Sequence, residues 1–241
     1  FQPGTQTWTD VPMAQPRYYH ASVKLLDGRV VALGGYRPGY GALADVEVFD
    51  PATASWTPGA GLLQARYVLG ATLLQDGRVL LAGGYSSAPL DVAEIWDPVT
   101  GSSSIAPLPT AASEFPMVTL TSGEALGVGG FVGTASADAT STFNASTGSW
   151  TTSPGAPFGQ YGGALLALPG AGALLFGGHE YSALGYLHLN ESAVLDASTL
   201  PGAWSPGPSL HARRVWMGVV TAEATTVIAG GGAVSLELFA P

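Results

Sequence analysis

The 241-residue chain contains no cysteine, and charged residues make up only 10% of it. Without cysteine the chain can form no disulfide, no thiolate metal site and no thiol nucleophile. Positive charge is scarce, because 8 Lys and Arg stand against 17 Asp and Glu, for a formal net charge of −9. This shortage weighs against nucleic acid as a partner, since binding a phosphate backbone needs concentrated cations.

The chain also lacks a long uninterrupted apolar segment. Its longest apolar stretch, GGALLALPGAGALLFGG at residues 162–178, is broken by Pro169 and several glycines. Because a membrane-spanning helix needs about 20 consecutive apolar residues, we expect no membrane span. The stretch instead predicts two buried strands around a tight turn.

The chain does contain an internal repeat. LDGRVVALGGY at residues 26–36 returns as QDGRVLLAGGY at residues 75–85, and three weaker copies follow. The second glycines of the five pairs are Gly35, Gly84, Gly130, Gly178 and Gly231, so the successive spacings are 49, 46, 48 and 53 residues. A period near 50 with several short strand-like runs per unit is typical of a β-propeller.

A second landmark follows each of the first four glycine pairs. An aromatic or apolar strand end is followed by Asp or Asn, a turn and usually Trp, as in VEVFDPATASW at 46–56, EIWDPVTGSSS at 94–104, STFNASTGSW at 141–150 and AVLDASTLPGAW at 193–204. With its double glycines, the aromatics after them and these tryptophans, the chain resembles the kelch family over essentially its whole length. The resemblance implies an all-β propeller with four antiparallel strands in each blade.

The two ends of the chain predict how the ring closes. Residues 1–8, FQPGTQTW, look like the FDPATASW segment displaced, and the final LELFAP looks like VEVFDP. The N-terminal segment would then pair with the C-terminal strands as the fourth strand of the last blade, which removes two open sheet edges. We therefore predict a single five-bladed kelch-type propeller, with blades at residues 17–60, 66–108, 112–156, 160–208 and 213–241 plus 1–13.

Candidate binding residues lie at the starts of the inner strands and directly after the double glycines. In a propeller these loops open on one face, around the central axis. The predicted ligand-binding residues at this mouth are Arg17, Tyr19, His20, Tyr36, Arg66, Tyr67, Tyr85, Glu114, Tyr161, His179, Arg213, Arg214 and Trp216. The long segment after the fourth glycine pair, HEYSALGYLHLNES, supplies further polar and aromatic groups to a loop, where function tends to reside.

Three arginines, Arg17, Arg66 and Arg213, align at one position of the repeat and admit two interpretations. They either hydrogen-bond neighbouring loop carbonyls, or they converge on the mouth and hold an anion in bidentate fashion. Kelch substrate adaptors grip their ligands from such positions, so the resemblance implies contacts from these arginines and from Tyr36 and Tyr85.

Signatures of catalysis and of metal binding are weak. RYYHASVKLLDGRV at 17–30 looks like the copper-binding segment of galactose and glyoxal oxidases, with Tyr19 and His20 as ligands. Those enzymes also need a cysteine cross-linked to a tyrosine, which this chain cannot supply. We therefore predict no catalytic residue, no metal site and no cofactor.

The carboxylates of the repeats have structural interpretations. Asp27 and Asp76 precede glycine in predicted hairpin turns, where turn chemistry accounts for them. Glu47 and Glu94 fall on third strands, and we expect them to form hydrogen bonds between blades. No pair of acids is predicted to face a pocket, as glycoside hydrolysis would require.

Together these patterns predict a binding module that engages a protein partner or a small anionic or sugar-like ligand at the mouth. One alternative is an enzyme that acts on such a ligand in the same pocket, and another is a structural domain of a larger surface protein. Low charge and plentiful Gly and Ala lead us to expect an exported bacterial protein in an extracellular or periplasmic location.

Overall fold

The structure, a computed structural model, describes residues 4–170, 172–182, 185–196, 202–222, 225–232 and 237–239. Every helix or strand assigned within these ranges is a β-strand, which confirms the predicted all-β class. The described ranges contain no helix long and apolar enough to cross a membrane.

The strands are short and follow the repeats. Those of the first two repeats are β1 (Ala21–Lys24), β2 (Val30–Leu33), β3 (Tyr36–Arg37), β4 (Gly41–Ala42), β5 (Val46–Asp50), β6 (Ser55–Pro58), β7 (Gly70–Leu73), β8 (Val79–Ala82), β9 (Ala93–Asp97) and β10 (Gly101–Ser104). Those of the other repeats are β11 (Met117–Thr119), β12 (Ala125–Val128), β13 (Thr140–Asn144), β14 (Ser149–Ser153), β15 (Ala164–Leu168), β16 (Gly172–Phe176), β17 (His179–Ser182), β18 (Gly185–His188), β19 (Ser192–Asp196), β20 (Ala203–Pro206), β21 (Met217–Ala222), β22 (Thr225–Gly230) and β23 (Glu237–Phe239).

Each of the first four repeats forms a four-stranded antiparallel sheet. The strand orders are β1-β2-β5-β6, β7-β8-β9-β10, β11-β12-β13-β14 and β15-β16-β19-β20, while the described part of the fifth repeat forms β21-β22-β23. Two small hairpins, β3-β4 and β17-β18, lie between second and third strands. The prediction of two strands around a tight turn at 162–178 is confirmed by β15 and β16.

The core lies between successive sheets, which pack face to face. The second strands are the most buried, and Val31 and Leu33 of β2 pack with Val79 and Leu81 of β8 around Trp96. Apolar clusters of the same kind join the second sheet to the third, the third to the fourth and the fourth to the fifth. Because both faces of an interior sheet are covered, its second strand consists almost entirely of apolar residues.

The double glycines are the joints between neighbouring sheets. The N–H of Gly84 donates to the carbonyl of Ala112 at 2.9 Å, and Gly35, Gly130 and Gly178 make the equivalent bonds to the next repeat. The preceding Gly83 has φ +60°, and a Cβ there would collide with the same Ala112 carbonyl. Glycine is therefore required twice, for a left-handed backbone and for close approach.

The inner strands β1, β7, β11, β15 and β21 contact one another in chain order. The bond that would join the fifth repeat to the first, from Gly231 N–H to the carbonyl of Arg17, does not occur among the described residues. The predicted pairing of the N-terminal segment with the C-terminal strands involves residues 1–3, 240 and 241, which lie outside the described ranges.

The described part of the N-terminal segment packs on the first sheet as a linker between repeats does. The indole of Trp56 donates to the carbonyl of Val11, just as the indole of Trp96 donates to the carbonyl of Ala60. Residues 8–16 thus occupy, on the first repeat, the place that residues 57–65 occupy on the second.

Candidate functional site

Each inner strand is preceded by one residue in the left-handed backbone region. These residues are Tyr19 (φ 59°), Val68 (47°), Glu114 (56°), Gly162 (63°) and Trp216 (50°). From Val68 onward, the N–H of each donates to the carbonyl of the one before it, with N to O distances of 2.7–2.9 Å. We call these five residues the axial collar. Since a left-handed backbone costs a non-glycine residue ~1–2 kcal/mol, tertiary contacts and not local preference hold the collar in place.

The axial collar borders a cavity of about 230 Å³, which we call the axial cavity. All five repeats contribute to its lining, which consists of Tyr19, His20, Val68, Leu69, Glu114, Phe115, Pro116, Gly163 and Trp216. Four residues predicted from the sequence, Tyr19, His20, Glu114 and Trp216, are therefore brought together. The cavity combines aromatic faces and apolar side chains with one carboxylate and one imidazole.

Glu114 is the acidic group of the axial cavity. Its Oε2 accepts a hydrogen bond of 3.0 Å from the indole Nε1 of Trp216. Burial raises the pKa of the Glu114 carboxyl, and the indole hydrogen bond lowers it to a smaller extent. No ion pair to Glu114 is formed by any of the described residues. The carboxylate is thus partly desolvated without a cation beside it.

His20 is the imidazole of the axial cavity. Its Nδ1 is buried and finds no hydrogen-bond partner in the described part of the chain. Burial lowers the pKa of His20, and the positive charge of Arg17 lowers it further. A histidine so perturbed is neutral at pH 7, so it does not neutralise the Glu114 carboxylate.

Two groups of aromatic side chains extend from the cavity-lining residues Tyr19 and Trp216. The first, which we call the tyrosine cluster, comprises Tyr18, Tyr19, Tyr36, Tyr67 and Tyr85, with ring centroids 4.8–6.2 Å apart. Backbone bridges from Tyr18 to Tyr36 and from Tyr67 to Tyr85 set this arrangement. Four of the five were predicted as site residues. Tyr18 was not, although it is 43% exposed at the same face.

The second group, which we call the histidine cluster, lies on the third, fourth and fifth repeats. Its members, linked by ring contacts of 4.5–6.3 Å, are Phe131, Tyr161, His179, Tyr181, Tyr186, His188 and Trp216. The hairpin β17-β18 pairs His179 with His188 and Tyr181 with Tyr186. Burial raises the pKa of Tyr161 to about 12 and lowers that of His179. The long segment noted in the sequence thus adds Tyr181, Tyr186 and His188 to the aromatic surface.

Arg17 and Arg66 point into the blades and not into the axial cavity. The guanidinium of Arg66 donates to the carbonyls of Gly83 and Val92 and forms an ion pair with Glu94, and both side chains are fully buried. Arg17 makes the same contacts one repeat earlier, with its Nη2 2.7 Å from Oε1 of Glu47. Both guanidinium groups therefore hydrogen-bond loop carbonyls, as the first of the two interpretations of these arginines predicted, and do not converge on the mouth. Neither guanidinium is available to an anion at the mouth.

In the fifth repeat the equivalent arginine is Arg214, so the sequence alignment that chose Arg213 was wrong by one residue. The carbonyl of Arg214 accepts from Gly178, as that of Arg66 accepts from Gly35. Its Nη1 donates to the carbonyl of Gly230 at 2.6 Å, and the side chain is buried. Arg213 is exposed.

Glu47 and Glu94 were expected to form hydrogen bonds between blades, but each bonds instead to the linker before its blade and to the arginine of its own blade. Glu94 accepts from the backbone N–H of Leu63, in the linker from the previous repeat, at 2.8 Å, while it also holds Arg66. Glu47 accepts from Ala14 in the same way. Each Glu therefore binds both a linker N–H and an arginine, and so connects them to the sheet on which it lies.

The turn aspartates also have the predicted role. The carboxylate of Asp76 accepts from the backbone N–H and the guanidinium of Arg78, and Asp27 does the same with Arg29. Among the described residues no three His, Cys, Asp or Glu side chains lie close enough together to hold a metal ion. The axial cavity can bind and orient a group, and the reactive side chains that line it are His20, Glu114 and Tyr19.

Comparison with known proteins agrees with the repeat pattern. The family model described as Kelch motif matches residues 16–63, which confirms the predicted kelch resemblance through the first repeat. No curated protein matches the chain.

Proposed function

We propose that this chain, which carries a kelch motif at residues 16–63, is an interaction module that binds a protein partner at the face bearing the axial collar. The observation that carries the proposal is the exposure of large aromatic side chains there: Tyr19 is 53% exposed, Trp216 60% and Tyr186 69%. Exposed aromatic groups of this kind are enriched among the residues that contribute most to protein–protein binding.

We further propose that the repeats form a five-bladed ring closed by the N-terminal segment. Three observations support closure. Residues from all five repeats line the axial cavity, residues 8–16 pack on the first sheet as an ordinary linker does, and Thr7 takes part in a β-bridge. A closed ring would bring the tyrosine cluster and the histidine cluster onto one continuous face.

A protein partner accounts for this face better than a small anion does. The arginines that would hold an anion donate to blade carbonyls and to Glu47 or Glu94, and the carboxylate of Glu114 would repel an anion at the axis. No arrangement of the described residues favours a particular reaction, so the enzymatic alternative has no specific support.

The proposal is tested by selecting ligands from a random peptide library displayed on phage, with the immobilised protein as target. We expect the selected peptides to bind the double variant Tyr19→Ser, Trp216→Ser at least about tenfold more weakly, as is typical when central aromatic contacts are removed. The matched control is Leu26→Ser, Val99→Ser, which removes two side chains that are 71% and 89% exposed near the turn aspartates, at the opposite ends of the strands. Peptides that bind both variants like the parent protein, or a selection that enriches none, would contradict the proposal.

A further inference from the structure

We infer that the axial cavity receives a positively charged side chain, a lysine or an arginine, from the partner. This inference rests on the proposed function, because it names the part of the partner that enters the centre of the binding face. Its basis is the pairing of a carboxylate with aromatic walls in one cavity, formed by Glu114, Tyr19 and Trp216.

The carboxylate of Glu114 is positioned as a receptor for a cation. Trp216 holds one of its oxygens at 3.0 Å, which fixes the rotamer without adding a positive charge. A carboxylate can accept several hydrogen bonds, so an ammonium or guanidinium group can donate to it while the indole bond persists. Glu114 lines the cavity from a left-handed backbone, with φ +56°, which has a cost in conformational energy.

Of the cations near the cavity, those of the first two repeats are neutralised or uncharged, and Arg214 of the fifth repeat donates to the carbonyl of Gly230. Arg17, which precedes the cavity residue His20 by three positions, is held by Glu47. Arg66, at the start of the second inner strand, is held by Glu94. His20 itself lines the cavity, and burial favours its uncharged form. Because no described residue forms an ion pair with Glu114, its negative charge is left for a ligand to balance.

The walls of the cavity suit the rest of such a side chain. Tyr19 and Trp216 present partly exposed rings, and cations bind favourably over the faces of such rings. Leu69, Phe115 and Pro116 add an apolar surface for the methylene groups of lysine or arginine. A volume of about 230 Å³ is far above the ~10–15 Å³ that one water needs, so a side chain has room to enter.

The overall charge favours the same class of ligand. With a net charge of −9, the chain attracts cationic partners over distances comparable to the Debye length, roughly 8 Å at physiological salt. A neutral apolar side chain would leave the carboxylate desolvated without compensation, and an acidic one would be repelled. A sugar could stack on the aromatic rings, and the experiment below includes it as a competing ligand.

The experiment is an NMR titration that follows the indole N–H resonance of Trp216, assigned by its loss in Trp216→Phe. The probes are Nα-acetyl-lysine methylamide and Nα-acetyl-arginine methylamide, with the norleucine analogue as neutral match, the glutamate analogue as anion, and methyl glucoside. We expect a saturable shift with at least one cationic probe, at about tenfold or more lower concentration than with the norleucine analogue.

The variant Glu114→Gln tests the role of the charge, since the amide oxygen can still accept from the indole of Trp216. We expect its affinity for the cationic probe to fall about tenfold and its affinity for norleucine to stay unchanged. The matched control Glu124→Gln removes the same charge from the turn between β11 and β12, at the other end of the same strands, and should bind like the parent protein.

Equal binding of the cationic and norleucine probes would overturn the inference, as would preference for the glutamate analogue or the glucoside, or no saturable shift with any probe. None of these results would touch the proposed function, because peptides that depend on Tyr19 and Trp216 would still be selected. The converse outcome is that the cationic probes bind while the phage selection enriches no peptide. That result would support the cavity as a cation site and refute the proposed peptide-binding face.

Discussion

The indole Nε1 of Trp216 donates a hydrogen bond of 3.0 Å to Oε2 of Glu114, although 102 positions separate the two residues. The bond crosses the axial cavity from the fifth repeat to the third. Both residues have left-handed backbones, and both line the cavity. A strained, partly buried carboxylate held by an aromatic donor is costly for stability, and such cost is common where a protein binds something.

Replacing Glu114 by Gln should stabilise the protein at neutral pH. Burial raises the pKa of this carboxyl above its ordinary value of about 4.3, so the folded state holds the proton more tightly than the unfolded state. The stability that Glu114 contributes is therefore present at low pH and is lost as pH rises through the raised pKa. Thermal unfolding at pH 7 should show a higher midpoint for Glu114→Gln than for the parent.

The same comparison at a pH below the unfolded-state pKa provides the control. There Glu114 is protonated in both states, and the advantage of the variant should vanish. A constant difference between the two proteins at pH 7 and at low pH would show that the charge of Glu114 is not the cause. A variant that is more stable yet binds the cationic probe more weakly would mark Glu114 as a binding residue.

Replacing Glu94 by Gln should destabilise the protein strongly. Burial lowers the pKa of Arg66 and Glu94 acts to raise it, so the guanidinium depends on its partner for compensation. Removing one member of a buried ion pair typically costs about 3–5 kcal/mol in the free energy of unfolding. Urea denaturation monitored by tryptophan fluorescence measures this loss.

Asp76→Asn is the matched control for Glu94→Gln, because it breaks the Asp76–Arg78 pair, whose side chains are 44% and 35% exposed. Exposed pairs contribute at most about 1 kcal/mol. Comparable losses of unfolding free energy in Glu94→Gln and Asp76→Asn would mean that the buried Arg66–Glu94 pair contributes no more to stability than the exposed one.

Replacing Gly83 by Ala should test the double glycine as a joint. Its φ is +60°, and a new Cβ would collide with the carbonyl of Ala112 and lie 2.6 Å from the ring of Phe115. The expected loss combines about 1–2 kcal/mol for the left-handed backbone with about 1–3 kcal/mol for overpacking. Gly148→Ala separates the two effects, because Gly148 has φ +67° and open space around its Cβ position. Equal unfolding midpoints for the two variants would refute a steric role for Gly83.

Ring closure predicts a specific register at the termini. If LELFAP pairs with the N-terminal segment as VEVFDP pairs with β6, Ala240 should face Thr7, as Asp50 faces Ser55. The chain has no native cysteine, so a disulfide between Thr7→Cys and Ala240→Cys can be detected without interference. We expect the oxidised double variant to migrate faster than the reduced one in denaturing electrophoresis. The control pairs Thr53→Cys with Ala240→Cys, and equally efficient oxidation of both pairs would reject this register.

The repeat pattern of the sequence predicted the strands and the turns well, because both depend on neighbouring residues. The prediction for Asp76 needed only the Asp-Gly turn, whereas the partners of Glu94, a linker N–H and the arginine of its own blade, depend on the fold. The arginine of the fifth repeat was missed because Arg66 precedes its acceptor Gly83 by 17 residues, whereas Arg214 precedes Gly230 by 16. Counting back from the glycines therefore selected Arg213, and only the hydrogen bonds reveal the shorter spacing.

By itself the sequence determined the period of the repeats, the all-β class and the positions of the turns, since apolar runs, turn residues and paired glycines act over a few residues. Tertiary structure alone decided that Arg17 and Arg66 pair with Glu47 and Glu94 and do not line the axial cavity. It also decided that the Glu114 carboxylate accepts a hydrogen bond from Trp216. The direction of a side chain is set by charges and donors that arrive from other repeats. No local pattern carries that information.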